Sequence, residues 1–343
     1  MGWGPLSGRR LGKGRGRAEW LLAERLGDGS FGQVYRATDE DGRESAVKLE
    51  LQRPGEPGLL CQEVRVLRAF RWSWHAPELL AAGREGTVLH WVAMERLGRS
   101  LAEMRRSLGR PFSLPSGLRV LSQGVRALED LHQSGFLHRD MKPGNLAMGM
   151  GERSHTLVLI DFGLARRWRR ADGTGRARRA RTSAPFRGSL RYASAKAHMG
   201  RELGRVDDLW SLLYLVLELV GLRLPWASVA SSRDNLQLIG SLKAGCTERE
   251  LLGHLAGELG PFRRQLLSSE PDGQEGPPYA QLRSVPLHLL RTLPPSEVAS
   301  PQPARPPPVR SLPLRARPSL TATPRPPNTV SLPNISNTTI IDK

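Results

Sequence analysis

The chain has 343 residues, with 51 lysines and arginines against 33 acidic side chains and a formal net charge of +18 at neutral pH. That length suits two packed lobes and a tail rather than a minimal module, and the charge favours acidic partners. Cys61 and Cys246 have no metal-ligand spacing and cannot build a disulfide framework, which points to free thiols in a reducing compartment.

Residues 1–19 read as a basic, Gly- and Arg-rich extension. It has no apolar segment to serve as a signal peptide, and position 6 is Leu where a myristoylation pattern needs Ser or Thr. In LGDGSFGQVY, Gly27, Gly29 and Gly32 form a GxGxxGxV pattern closed by Val34, inside alternating apolar and polar residues. This predicts a hairpin whose glycines let the backbone lie close over phosphates. A dinucleotide fingerprint is the rival, but it should open a helix and be followed by an acidic residue about twenty positions on. Here the glycines lead into QVYRATDEDGRESAVKLE, which predicts a strand, a turn at Asp41 and Gly42, and a second strand carrying Ala46 and Lys48. Next, CQEVRVLRAF places Val64, Leu67 and Phe70 at helical spacing, with Glu63 near the helix start. VLHWVAMERLGRSL then predicts a strand and a connector holding Met94, Glu95 and Leu97. HRDMKPGN, from His138 to Asn145, is followed by DFG at Asp161 to Gly163. Phosphoryl transfer needs a carboxylate to orient the attacking hydroxyl, oxygen ligands for a metal, and cations around the phosphates, and these motifs contain all three. The apolar run from Leu212 is broken by Glu218 and Arg223 and is shorter than the roughly 20 residues of a membrane span, so it reads as a buried helix.

In this order and spacing the motifs resemble those of the eukaryotic protein kinases. The resemblance implies an α+β, bilobal protein-kinase-like fold over residues 20–291, with a small β-rich N-lobe (about 20–95) and a larger helical C-lobe (about 98–291). It implies ATP and Mg2+ as cofactors. Leu26, Gly27, Gly29, Gly32, Val34, Ala46, Lys48, Met94, Glu95 and Leu97 would surround the nucleotide, the last two through backbone hydrogen bonds to the base. Lys48 would contact the α- and β-phosphates and pair with Glu63, whose rival reading is an ordinary solvated helix carboxylate. Asp140 would orient the substrate hydroxyl, Lys142 would steady the phosphoryl group, and Asn145 and Asp161 would hold the metal. Lysine at position 142 goes with Ser/Thr rather than Tyr specificity.

FRGSLRYASAKAH (186–198) and GRVDDLWSLLYLVLE (204–218) are similar to the casein kinase 1 group, and within it to the tau-tubulin kinase family. AMG after the catalytic-loop asparagine, FRG before Ser189, and Trp210 favour the tau-tubulin branch. By this match Ser189 hydrogen-bonds near Asp140 and Lys142, Asp208 caps the catalytic-loop backbone, and Arg191 helps bind a phosphate on the substrate or activation segment. Two departures stand out: Lys196 replaces an asparagine, and residues 227–232 lack the basic side chains expected after LPW. The family implies tau-like microtubule-associated proteins and acidic tubulin tails as partners. The implied setting is cytoplasmic, cytoskeletal or at microtubules and cilia, with the nucleus as a further option.

The presumed activation segment holds ten arginines between Arg166 and Arg191, opposed in sequence only by Asp172. Such a field attracts acidic or phosphorylated peptides. No nucleic-acid-binding motif accompanies it, and a solvated arginine loop with no dedicated partner is the other reading. Residues 292–343 are rich in Pro, Ser and Arg and predict a disordered tail. ARPPPVR within it could fill an SH3-type groove or simply solvate the terminus. Two alternatives to an active enzyme remain at this point: a pseudokinase scaffold that binds acidic cytoskeletal partners, and a basic adaptor that docks on acidic polymers.

Overall fold

The computed structural model describes residues 6–12, 19–29, 32–52, 58–170, 174, 176–179, 181–269 and 276–294. The tail from residue 295, including ARPPPVR, much of the basic extension, and Asp172 lie outside these residues.

Six strands form one sheet in the order β1 (Arg10–Leu11), β2 (Trp20–Gly29), β3 (Gly32–Thr38), β4 (Glu44–Leu51), β6 (Leu89–Glu95) and β5 (Leu79–Glu85). Successive strand residues point to opposite faces, so the sheet serves two cores. Leu11, Leu22, Tyr35, Val47, Leu49, Trp91 and Ala93 pack together on one face. Val92 and Met94 point the other way and join a larger core that continues into the helices. Lys48 sits opposite Val92, and Ala46 opposite Met94, so both belong to this second face.

The sheet begins before Trp20, with a short strand from the basic extension. Leu11 pairs with Trp20 and is fully buried, and the Gly12 N–H donates to the Glu85 carboxylate at 2.9 Å. A two-residue strand among glycines and arginines has no periodicity to announce it.

Helix α1 (Leu59–Phe70) presents Leu67 and Phe70 to the larger core. The residue before it, Gly58, has no side chain to cap the helix, and Glu50 of β4 does so instead, accepting the N–H groups of Leu59 (3.0 Å) and Leu60 (2.9 Å). A carboxylate there satisfies orphan donors and suits the positive end of the helix. The same strand carries Lys48, so this cap sets α1, and Glu63 on it, against the lysine.

The second lobe is helical, with α2 (Leu101–Leu108) and α3 (Leu114–Gln133) leading into a loop. That region contains two small antiparallel pairs: β7 (Phe136–Leu137) pairs with β10 (Arg166–Arg167), and between them in sequence β8 (Leu146–Met148) pairs with β9 (Leu157–Leu159) as a hairpin. After α4 (Ala195–His198) comes α5 (Arg205–Leu219), whose apolar run is buried on nearly all sides; α6 (Leu236–Gly245), α7 (Glu248–Leu252), α8 (Ala256–Ser268) and α9 (Tyr279–Thr292) follow. Among the described residues no helix is long and apolar enough to cross a membrane. The expected bilobal arrangement, β-rich then helical, is the one observed.

Candidate active site

The β8–β9 hairpin explains how residues far apart in sequence meet. Asn145 immediately precedes β8 and Ile160 immediately follows β9; with Leu146 opposite Leu159, the Ile160 N–H reaches the Asn145 carbonyl at 3.0 Å. Asp161 is the next residue. It has φ +63°, a left-handed conformation that is uncommon outside glycine and tends to be kept where function requires it.

Lys48 bridges the two lobes. Its Nζ donates to Glu63 Oε2 and to Asp161 Oδ1, both at 2.8 Å, and its side chain is only 6% exposed. Burial works against the ammonium charge, but the two carboxylates outweigh it and raise the pKa above the usual lysine range. Glu63 is 2% exposed, which rules out a solvated helix carboxylate. Phe162 locks the arrangement: its ring meets Phe70 of α1 edge-on at 5.9 Å and His138 at 5.4 Å.

A second cluster surrounds Asp140, 6% exposed. One carboxylate oxygen accepts the Ser189 hydroxyl at 2.7 Å; the other accepts Lys142 Nζ at 2.7 Å and Asn145 Nδ2 at 3.2 Å. Asn145 also donates to the Asp140 carbonyl at 2.8 Å, which leaves its amide oxygen as the atom able to ligate a metal. Gly188 takes φ +97°, and a Cβ there would lie 2.6 Å from the Arg139 carbonyl, so glycine is required to bring Ser189 this close.

Asp208, buried at the start of α5, accepts the backbone N–H groups of His138 and Arg139, each at 2.8 Å, as its resemblance-based role requires. Burial opposes its charge, yet His132 and these N–H groups hold the carboxyl below the usual range. His132 Nε2 lies 2.9 Å from Asp208, and Tyr279 Oη lies 2.7 Å from His132 Nδ1. A carboxylate only accepts, so Nε2–H donates to it, and in the neutral ring Nδ1 accepts the tyrosine hydroxyl. This line from α9 through α3 to the catalytic loop had no local sequence signal.

Two nucleotide-side positions gain detail from the fold. The Glu95 N–H is committed to the Glu78 carbonyl at 2.8 Å, and its side chain pairs with Arg153 at 2.6 Å, so only its carbonyl could serve a base. At Gly32, a Cβ would sit 1.8 Å from the Leu49 carbonyl. Its small size therefore serves strand packing; at Gly27 a Cβ would meet nothing within 4 Å, which fits close approach by a ligand. Leu26 is 44% exposed, Val34 lies opposite both Gly27 and Lys48, and Gly29 pairs with Gly32.

Arg191 is not joined to Asp140: its guanidinium pairs with Glu218 at 2.7 Å. Lys196 lies 3.7 Å from Asp207. The arginine-rich segment is not opposed by Asp172 alone either. Glu202 binds Arg166 at 3.2 Å and Arg181 at 2.5 Å, and half-buried Arg139, its pKa lowered to about 10 by desolvation and by nearby Arg166, adjoins them. Glu202 lies beyond the segment in sequence, and only the fold brings it back.

The site's donor set suits a divalent metal ion that prefers oxygen ligands. Such ions are held by carboxylates, carbonyl-type oxygens and substrate phosphates, and the Asp161 carboxylate with the Asn145 amide oxygen supplies one of each protein type on adjacent ends of the β8–β9 hairpin. Residues 20–268 match the protein kinase domain family. A Dictyostelium discoideum protein described as a "probable serine/threonine-protein kinase" is 34% identical over 272 residues, covering 78% of this chain and 53% of that protein. The serine/threonine-protein kinase spe-6 of Caenorhabditis elegans is 34% identical over 235 residues, covering 68% of this chain and 61% of that one. The chain thus spans little more than half the length of these relatives.

Proposed function

The chain belongs to the protein kinase family, and from that premise we propose that it transfers the γ-phosphoryl group of ATP to Ser or Thr hydroxyls of proteins. Lys48, held by Glu63, positions the α- and β-phosphates, and Met94, Glu95 and Leu97 border the base. Asp161 and the Asn145 amide oxygen would hold Mg2+, which when bound would neutralise charge on the phosphates. Asp140 orients the attacking hydroxyl and takes its proton, Lys142 stabilises the transferring group, and Ser189 keeps Asp140 in place. The observation that carries this reading is the pair of 2.8 Å contacts from Lys48 to Glu63 and Asp161, because they close the two lobes on one site.

The finer reading is a tau-tubulin kinase of the casein kinase 1 group, acting on tau-like microtubule-associated proteins and acidic tubulin tails in a cytoplasmic setting. The FRGSLRYAS segment and the excess of arginines near the cleft support it. Glu202 already occupies Arg166 and Arg181, and Glu218 occupies Arg191, so a substrate need not be phosphorylated beforehand. The usual mark of a pseudokinase scaffold is loss of Lys48, Asp140 or Asp161, and all three are present; the altered Ser-x-Lys segment and the arginine-rich loop are what keep that second reading in the test.

The test is label transfer from ATP and magnesium to tau or tubulin, with Lys48→Met and Asp161→Asn alongside. Transfer by the native chain and by neither variant supports the enzyme. Equal transfer by all three reveals a contaminant, and none by any of them leaves a scaffold.

A further inference from the structure

Lys243 in the last turn of α6 is 6% exposed, yet no carboxylate among the described residues offsets its charge. Its Nζ donates to three backbone carbonyls, those of Leu190 (2.9 Å), Arg191 (3.2 Å) and Ala193 (2.5 Å), and lies 3.1 Å from His198 Nε2. Trp226 and Tyr214 close around it, their ring centroids 4.9 and 5.4 Å from the nitrogen. Burial pulls its pKa down to about 6. Charged or neutral, the amine keeps at least two N–H donors for these oxygens.

Burying a lysine without a counter-charge costs stability, and an apolar side chain would fill such a site more cheaply. The reason for a lysine lies in what it holds. The three carbonyls belong to a tight turn that starts at Ser189, whose own carbonyl accepts the N–H groups of Tyr192 (3.0 Å) and Ala193 (2.8 Å). Above the turn, the Ser189 hydroxyl donates to Asp140 at 2.7 Å. The turn is therefore pinned from two sides, by Asp140 above and Lys243 below, with Trp226 Nε1 adding a bond to the Arg191 carbonyl at 2.8 Å.

We propose that Lys243 is a positioning residue for the protein substrate: it fixes the 189–193 turn so that Ser189 and the adjoining backbone present the acceptor hydroxyl to Asp140. This inference rests on the phosphotransfer reading of the Asp140 cleft, and the experiment separates the two. Hydrogen–deuterium exchange is measured on the full chain and on its Lys243→Met and Lys243→Gln variants. In parallel, transfer to a serine-containing tubulin-tail peptide is followed with peptide and ATP varied in turn.

The expected result is faster exchange at Tyr192 and Ala193, about tenfold in Lys243→Met for the loss of a hydrogen bond or more. Lys243→Gln, which keeps two N–H donors, should fall between, while β4 and α1 exchange as before. The KM for the peptide should rise about tenfold with the KM for ATP unchanged. The proposal is overturned if the turn exchanges as in the native chain, if α5 and α6 loosen to the same degree, or if both KM values move together. Should Lys243→Met not fold, the glutamine variant carries the comparison. A native chain that transfers no label defeats the phosphotransfer reading, while the exchange data still decide whether Lys243 holds the turn.

Discussion

Replacing Lys48 by methionine removes the cation that two carboxylates share. Asp161 is 13% exposed in its side chain and can recover some hydration, but Glu63 is 2% exposed and would be left as an uncompensated buried charge. Breaking one partner of a buried pair costs roughly 3–5 kcal/mol. For a domain of this size about 2–4 °C of melting temperature accompanies each kcal/mol, so the variant should melt roughly 6–20 °C below the native chain. The double variant Lys48→Met/Glu63→Leu removes the stranded charge as well, and apolar replacement of a buried pair is often neutral. It should regain most of the lost stability while transferring no phosphate. Thermal and urea unfolding of native, single and double variants measure this, with label transfer as the second readout. If the single variant melts within a degree of the native chain, or if the double variant is no more stable than the single, the buried network described around Lys48 is wrong.

Asp140→Asn should lower kcat by about 10²–10⁴-fold, the range for a general base, with nucleotide binding by calorimetry unchanged. Asp208 has a lowered folded pKa, so its stabilising contribution is complete above its unfolded pKa of about 3.9 and is lost as pH falls through the folded value. The stability gap between the native chain and Asp208→Asn should therefore be constant above about pH 5 and shrink in more acidic buffer; a gap that widens there would contradict the assignment. Tyr279→Phe deletes the hydroxyl that reaches His132 and should cost about 0.5–1.5 kcal/mol in urea unfolding.

What could be read from the sequence was local. The strand, turn and strand after the glycines, the helix bearing Glu63, and the Asp140, Asn145 and Asp161 motifs all carry their own short-range signals. In the fold Glu63 and Asp161 both reach Lys48, and Ser189 and Lys142 both reach Asp140. The omissions share one physical cause, which is that they depend on side chains from distant elements. Glu50 caps a helix that lacks its own cap, Glu202 returns to arginines twenty-one or more residues earlier, and Tyr279 reaches His132 across 147 positions. Nothing in GSLKAG indicates that three carbonyls converge on Lys243. Which of Glu95's backbone groups is left for a base was not legible either, since which N–H groups a sheet has already used depends on strand pairing and not on residue type.

The most direct test of the claim that one site gathers Lys48, Asp140 and Asp161 is a crystal structure of the full chain with a non-hydrolysable ATP analogue and Mn2+ in place of Mg2+, located by its anomalous signal. The predicted result is a metal within about 2.0–2.3 Å of oxygens of Asp161 and Asn145, by analogy with Mg2+–oxygen distances, with the phosphates against Lys48 and the terminal phosphate facing Asp140. Nucleotide bound away from these residues, or a metal held by other side chains, would contradict it.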